Sequence, residues 1–69
     1  MQGTNQLLPY QQRVIAERED LDWKLGNLLA FFASVRFALL PEEDRKLLKR
    51  QADVMAEYSH ILSDRIARF

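Results

Sequence analysis

The second half of the chain carries two apolar stripes that lie side by side on one predicted helix. In both stripes the residues recur four and three positions apart, which is the spacing of one helix face. The first stripe consists of Leu48, Ala52, Met55, Ser59, Leu62, Ile66 and Phe69. The second stripe consists of Leu47, Gln51, Val54, Tyr58, Ile61 and Arg65. Together they cover roughly half of the helix circumference. One partner helix shields only one stripe, so the pattern predicts a protomer of an assembly.

The size of the chain points the same way. A chain of 69 residues has little interior, and such chains usually depend on disulfides, a metal or oligomerisation for stability. The sequence contains no cysteine and a single histidine, which leaves neither a disulfide nor a zinc site, and no cofactor is expected. Oligomerisation with copies of itself is the remaining means of stabilisation.

Composition limits the classes of partner. Ten basic and ten acidic residues cancel, so binding of duplex nucleic acid through a general basic field is not expected. The longest apolar run, 28–33, is too short to span a bilayer, and 1–8 lacks the layout of a signal peptide. We therefore predict a cytoplasmic protein that makes no membrane contact.

The helical spacing of the apolar residues and the positions of the two prolines predict an all-α fold. We expect a flexible tail at 1–8, a helix at 9–33, a connection at 34–40 and a second helix at 41–69. Pro9 and Pro41 suit the first turn of each helix, where a missing N–H has no consequence. The apolar connection is expected to pack over the end of the core, partly as a short helical turn. Two long helices joined this way form an antiparallel hairpin, which then assembles into a homo-oligomeric helical bundle.

The antiparallel arrangement brings the start of the first helix close to the end of the second. The predicted ligand-binding residues at this open end are Tyr10, Arg13, Arg18, Tyr58 and Arg65. Arg18 and Arg65 occupy stripe positions where an apolar residue is expected, so each needs a nearby anion. The anion could be a carboxylate of a neighbouring protomer or a phosphate held by the planar guanidinium. On the residues alone, the intersubunit salt bridge is the favoured interpretation.

A second set of residues is predicted to contact other subunits. Trp23 lies opposite the core stripe of the first helix, beside small alanines, which indicates a contact outside the hairpin. The predicted interface residues are Trp23, Leu48, Met55, Leu62, Ile66 and Phe69. We find no nucleophile, general acid or general base set, and therefore predict that the protein is not an enzyme.

Several short segments resemble a known group of proteins. They are Pro9 to Ile15, Glu17, Leu21-Asp22, Phe37, Leu40-Pro41-Glu42, Met55, Tyr58, Ile61-Leu62, Arg65-Ile66-Ala67 and Phe69. This pattern resembles a family of small phage-encoded proteins related to a crAss-like phage protein of unassigned function. The resemblance implies a phage origin and action in the host bacterial cytoplasm. At the level of the fold, the chain is similar to the helical phage sponges that capture CBASS and Thoeris immune nucleotides.

The fold-level similarity to these sponges favours a phosphate as the anion that Arg18 and Arg65 bind. We therefore predict a non-enzymatic counter-defence protein that sequesters a small phosphorylated, cyclic nucleotide signal between protomers. The alternative is a protein–protein interaction module that docks on a host or defence protein through Trp23 and the second stripe.

Overall fold

The computed structural model describes residues 6–69 and contains three helices in that range. They are α1 (Pro9–Phe31), α2 (Val35–Ala38) and α3 (Glu42–Ile66). The all-helical class is confirmed, and no strand occurs in the described range. Most of the predicted tail, 1–5, lies outside the described residues, whereas 6–8 lead directly into α1.

Local hydrogen bonds explain why α1 begins and ends where it does. Pro9 is its first residue, as predicted, and the Leu8 N–H donates to Gln11 Oε1 at 2.8 Å. At the other end the helix stops at Phe31, two residues earlier than expected. The Ser34 hydroxyl donates to the Phe31 carbonyl at 2.7 Å and accepts from the Phe37 N–H at 3.2 Å. One serine thus terminates α1 and caps α2.

The start of α3 is held by charges and by one arginine. Pro41 is the N-cap residue in an extended conformation. Residues 42–44 supply three acids in the first turn, and their negative charges interact favourably with the helix dipole. Arg45 then reaches back to the connection, donating to the Ala38 carbonyl at 3.2 Å and the Leu40 carbonyl at 2.6 Å. These bonds fix the angle at which α3 leaves the connection. The helix ends at Ile66, with 67–69 continuing as a turn.

The connection packs over the end of the core, as the sequence predicts. Phe37 is 8% exposed, with its ring centroid 5.8 Å from that of Phe31 and 4.9 Å from that of Phe32. The Lys49 ammonium lies 5.7 Å from the Phe32 centroid and 5.8 Å from the Phe37 centroid. A three-ring cluster beneath a cation therefore joins the connection to both long helices.

The core lies between α1 and α3 and is thin. Its buried side chains in the described range are Val14, Phe37, Ala52 and Leu62. The molecule measures 53 × 17 × 14 Å, and its radius of gyration is 16.0 Å, against about 11 Å for a compact chain of this length. So elongated a hairpin leaves much of its apolar surface in contact with solvent.

The structure shows which stripe of α3 the hairpin covers. The first stripe packs on α1, and its Leu62 has no exposed surface. The second stripe remains outside, with Leu47 57%, Val54 67% and Ile61 48% exposed. The prediction that one helix shields only one stripe is thus confirmed, while oligomerisation itself stays a prediction.

The interface residues predicted on the first stripe need a correction. Leu62 is fully buried and Leu48, Met55 and Ile66 are half-buried because α1 already occupies that stripe. These side chains form the intramolecular core, and the surface left for a second molecule is the second stripe. Phe69, beyond the end of α3, keeps 37% exposure.

Candidate functional site

The open end of the hairpin forms a groove from the first turn of α1 and the last residues of the chain. Its volume is about 300 Å³, and its lining residues are Tyr10, Arg65, Arg68 and Phe69. The Tyr10 and Phe69 rings meet edge to face, with centroids 6.0 Å apart and planes at 74°. This edge-to-face contact joins the two chain ends and gives the groove an aromatic wall.

The charged side chains that line this open-end groove are both positive. Arg68 lies in the turn that follows α3, three residues after Arg65, and its N–H donates to the Arg65 carbonyl at 3.0 Å. Neither forms an ion pair with any residue in 6–69, and the described lining contains no Asp or Glu side chain. Arg65 also lies in the last turn of α3, where its positive charge interacts favourably with the helix dipole. The arrangement can bind an anion that carries a flat ring.

The structure brings only part of the predicted set together. Tyr10 and Arg65 share the open-end groove. Tyr58 is 41% exposed and lies two turns before Arg65 on the second stripe, outside the groove lining. Arg13 is exposed on α1 and lines none of the grooves described here.

Arg18 lies in a different groove, on the other side of the α1–α3 contact. That groove has a volume of about 190 Å³ and is lined by Arg18, Ala56, Ser59, His60 and Ser63. The anion that Arg18 was expected to need comes from its own helix, since its Nε lies 3.5 Å from Asp22 Oδ2. Nε is shielded from solvent and makes no hydrogen bond within the described residues. The Ser59 hydroxyl donates to Asp22 Oδ1, which joins this ion pair to α3.

Arg65 also departs from the expectation that its charge is buried. It is exposed in the single chain because it lies on the uncovered stripe. In one hairpin, burial therefore does not require a bound anion at either arginine. Arg65 and Arg68 instead line the same groove, and neither has an ion-pair partner within 6–69.

Two residues of the groove are not among the ligand-binding residues predicted from the sequence. Phe69 was predicted to be an interface residue, and Arg68 was not assigned to the site. The sequence does contain a signal for them, since two arginines three residues apart are followed directly by an aromatic residue. Only the antiparallel packing, however, brings Tyr10 against Phe69.

In a third groove, at the connection end, each charged side chain already contacts a partner within the hairpin. Its volume is about 270 Å³, and it is lined by Phe37, Glu42, Arg45, Lys46 and Lys49. Arg45 binds backbone carbonyls, Lys46 pairs with Glu42 at 3.3 Å and Lys49 lies over two rings. The open-end groove is therefore the better candidate for an anionic ligand.

Trp23 is the most exposed aromatic side chain of α1, at 68%. It lies on the face of α1 away from α3, where no described residue covers it. Its exposure agrees with the predicted contact outside the hairpin, and the contact itself stays a prediction.

The described residues contain neither a candidate metal site nor a membrane-spanning helix. Within 6–69, no three side chains of the types that ligate metals lie together in a way that could hold an ion. None of the three helices has a stretch long and apolar enough to cross a bilayer.

The described residues thus form a helical hairpin with one uncovered apolar stripe and a cationic, aromatic groove at its open end. The sequence model of the family described as Sequestin matches residues 8–68, and the chain belongs to that family. It is also 35% identical over 63 residues to a phage T4 protein described as an uncharacterized 7.5 kDa protein in the denB-rIIB intergenic region. That alignment covers 91% of this chain and 98% of the T4 protein. No solved structure matches the chain significantly.

These relationships support a phage protein and refine the resemblance stated above. The relative found is a T4 protein, and the link to a crAss-like phage is not among the relationships shown.

Proposed function

We propose that this protein is a phage counter-defence protein that captures a small phosphorylated nucleotide signal in the host cytoplasm and does not alter it chemically. The observation that carries the proposal is the open-end groove, where two arginines that have no ion-pair partner within residues 6–69 lie beside two aromatic rings. The family description, Sequestin, agrees with sequestration as the mode of action.

The chemistry of the groove fits a nucleotide. The guanidinium groups of Arg65 and Arg68 present planar donor forks that match phosphate oxygens. A base offers a flat face that stacks on an aromatic ring, here Tyr10 or Phe69, and such stacking contributes about 1–3 kcal/mol per base. Because the net charge of the chain is zero, binding depends on these local cations and on no general field.

A single hairpin encloses such a ligand only partly. Tyr10 is 49% exposed and both arginines are exposed, so the groove is open to solvent along one side. Small-molecule sites usually bury most of the ligand surface. We therefore place the complete site between protomers, where a second copy covers the open side.

Isothermal titration calorimetry against cyclic di- and trinucleotides and ADP-ribose derivatives tests this function. We expect at least one of them to bind, and Arg65→Ala or Arg68→Ala to weaken it about 10- to 100-fold through loss of a charged hydrogen bond. Arg36→Ala, which removes the same charge at an exposed position of α2 outside the groove, is the matched control and should bind normally. The ligand released by heating should have an unchanged mass.

Two results would overturn the proposal. One is an absence of heat with every nucleotide in the panel. The other is an equal loss of affinity in Arg36→Ala and Arg65→Ala, which would mean that binding depends on overall charge and not on the groove.

The second candidate function is docking on a host or defence protein. The 68% exposure of Trp23 favours it, because an uncovered tryptophan is typical of interaction hot spots. In a pull-down from host lysate, a stoichiometric partner that is retained by the wild type and lost in Trp23→Ala would support docking. Capture of nothing, with nucleotide binding intact in Trp23→Ala, would exclude it.

A further inference from the structure

The uncovered second stripe of α3 has the spacing of a coiled-coil seam, and we call it the second seam. Its residues alternate steps of four and three from Leu47 to Arg65, so they keep facing one direction along about 27 Å of helix. The first stripe has the same spacing, and α1 occupies it. The two seams are offset by one residue, about 100° around the helix, so a second helix can pack on α3 without displacing α1.

We infer that the occupant of this second seam is the second seam of another copy of the chain, packed antiparallel. The two-fold axis then crosses α3 at the level of residue 56. In this register Val54 lies against the partner's Tyr58, and Gln51 lies against the partner's Ile61. Both layers occur twice because the contact is symmetric. The result is a four-helix assembly of two hairpins.

The charges on and beside the seam favour the antiparallel direction. A parallel pair would place Arg65 against the partner's Arg65 inside the seam, with no acid between them. In the antiparallel pair Arg65 lies against the partner's Leu47, along which its aliphatic stem can pack. Arg50, on the flank, then lies opposite the partner's Asp64, and this ion pair also occurs twice. Glu57 approaches its own copy near the axis, at an exposed edge where solvent and salt screen the repulsion.

The apolar surface of the hairpin is the reason for a partner of this kind. Val54 and Ile61 are 67% and 48% exposed in one chain, and the core between α1 and α3 contains few buried side chains. Association of identical seams buries both sets at once. The pairing does not depend on the nucleotide proposal, and the experiment below contains no nucleotide.

Cysteine cross-linking tests both the contact and its direction. The chain has no cysteine, so Gln51→Cys and Ile61→Cys each introduce a single thiol per chain at a half- or fully exposed position. In the antiparallel register, identical thiols lie about 15 Å apart, ten residues along the helices, which exceeds the reach of a disulfide. We expect each variant alone to stay monomeric on a non-reducing gel, and an oxidised mixture of the two to give a covalent dimer.

The opposite pattern overturns the inference. In a parallel pair each variant would cross-link with itself, and the mixture would add no further dimer. Analytical ultracentrifugation supplies an independent measurement on the wild-type chain. A dimer mass at micromolar concentration that Val54→Glu reduces and Trp23→Ala leaves unchanged supports the second seam. A wild-type monomer under those conditions, with no cross-link in any sample, overturns it.

Discussion

Replacement of Leu62 by alanine measures how much of the stability of the hairpin depends on its covered stripe. Leu62 has no exposed surface, and truncation of a fully buried leucine costs about 2–5 kcal/mol through lost burial and a residual cavity. The hairpin is only two helices thick, and the neighbouring Met55 and Ile66 are half-buried and can move into the space. We therefore expect a cost at the lower end, about 2–3 kcal/mol.

This cost is large for a chain of this size. A domain of 69 residues has a free energy of unfolding of about 3–10 kcal/mol. At 4–8 °C per kcal/mol, Leu62→Ala should lower the melting temperature by about 10–20 °C. Far-UV circular dichroism in urea is the appropriate assay, because the fluorescence of the exposed Trp23 reports poorly on the packing between α1 and α3.

Leu47→Ala is the matched control, since it removes the same atoms from α3 at a position on the exposed second stripe. At low protein concentration it should cost less than about 0.5 kcal/mol, as expected for a surface position. At high concentration its cost should grow if the second seam is buried by association. A Leu62→Ala cost below that of Leu47→Ala at every concentration would refute the assignment of the covered stripe.

The remaining predictions concern polar groups that join the elements. Ser34→Ala should lower the free energy of unfolding by about 1 kcal/mol, because it removes the cap of α2 and a bond to the Phe31 carbonyl; Ser34→Thr, which keeps the hydroxyl, should recover most of it in the same urea titration. Asp22→Ala should cost about 1 kcal/mol, a modest value because both Arg18 and Asp22 are nearly half exposed. A double-mutant cycle with Ser59→Ala should give a measurable coupling energy, and strict additivity would show that the Ser59–Asp22 bond contributes nothing to the hairpin.

The two arginines that interrupt the predicted apolar stripes illustrate the limit of reasoning from periodicity. Arg18 and Arg65 both interrupt an apolar stripe, so periodicity treats them alike. In the structure Arg18 is paired with Asp22 on the covered side, while Arg65 is exposed beside Arg68. Which of them faces a partner helix depends on the rotation of each helix about its axis, and periodicity does not specify that rotation.

Local chemistry in the sequence determined the elements of this protein. Pro9 and the acids at 42–44 predict where the long helices begin, and the four-and-three spacing predicts two seams on α3. Tertiary packing decided which seam α1 covers and which groups meet at the open end. That choice depends on Phe37 and Arg45, which dock the connection and set the direction of α3. Contacts between residues distant in sequence form together when the whole hairpin packs. For that reason no single segment of the sequence specifies them.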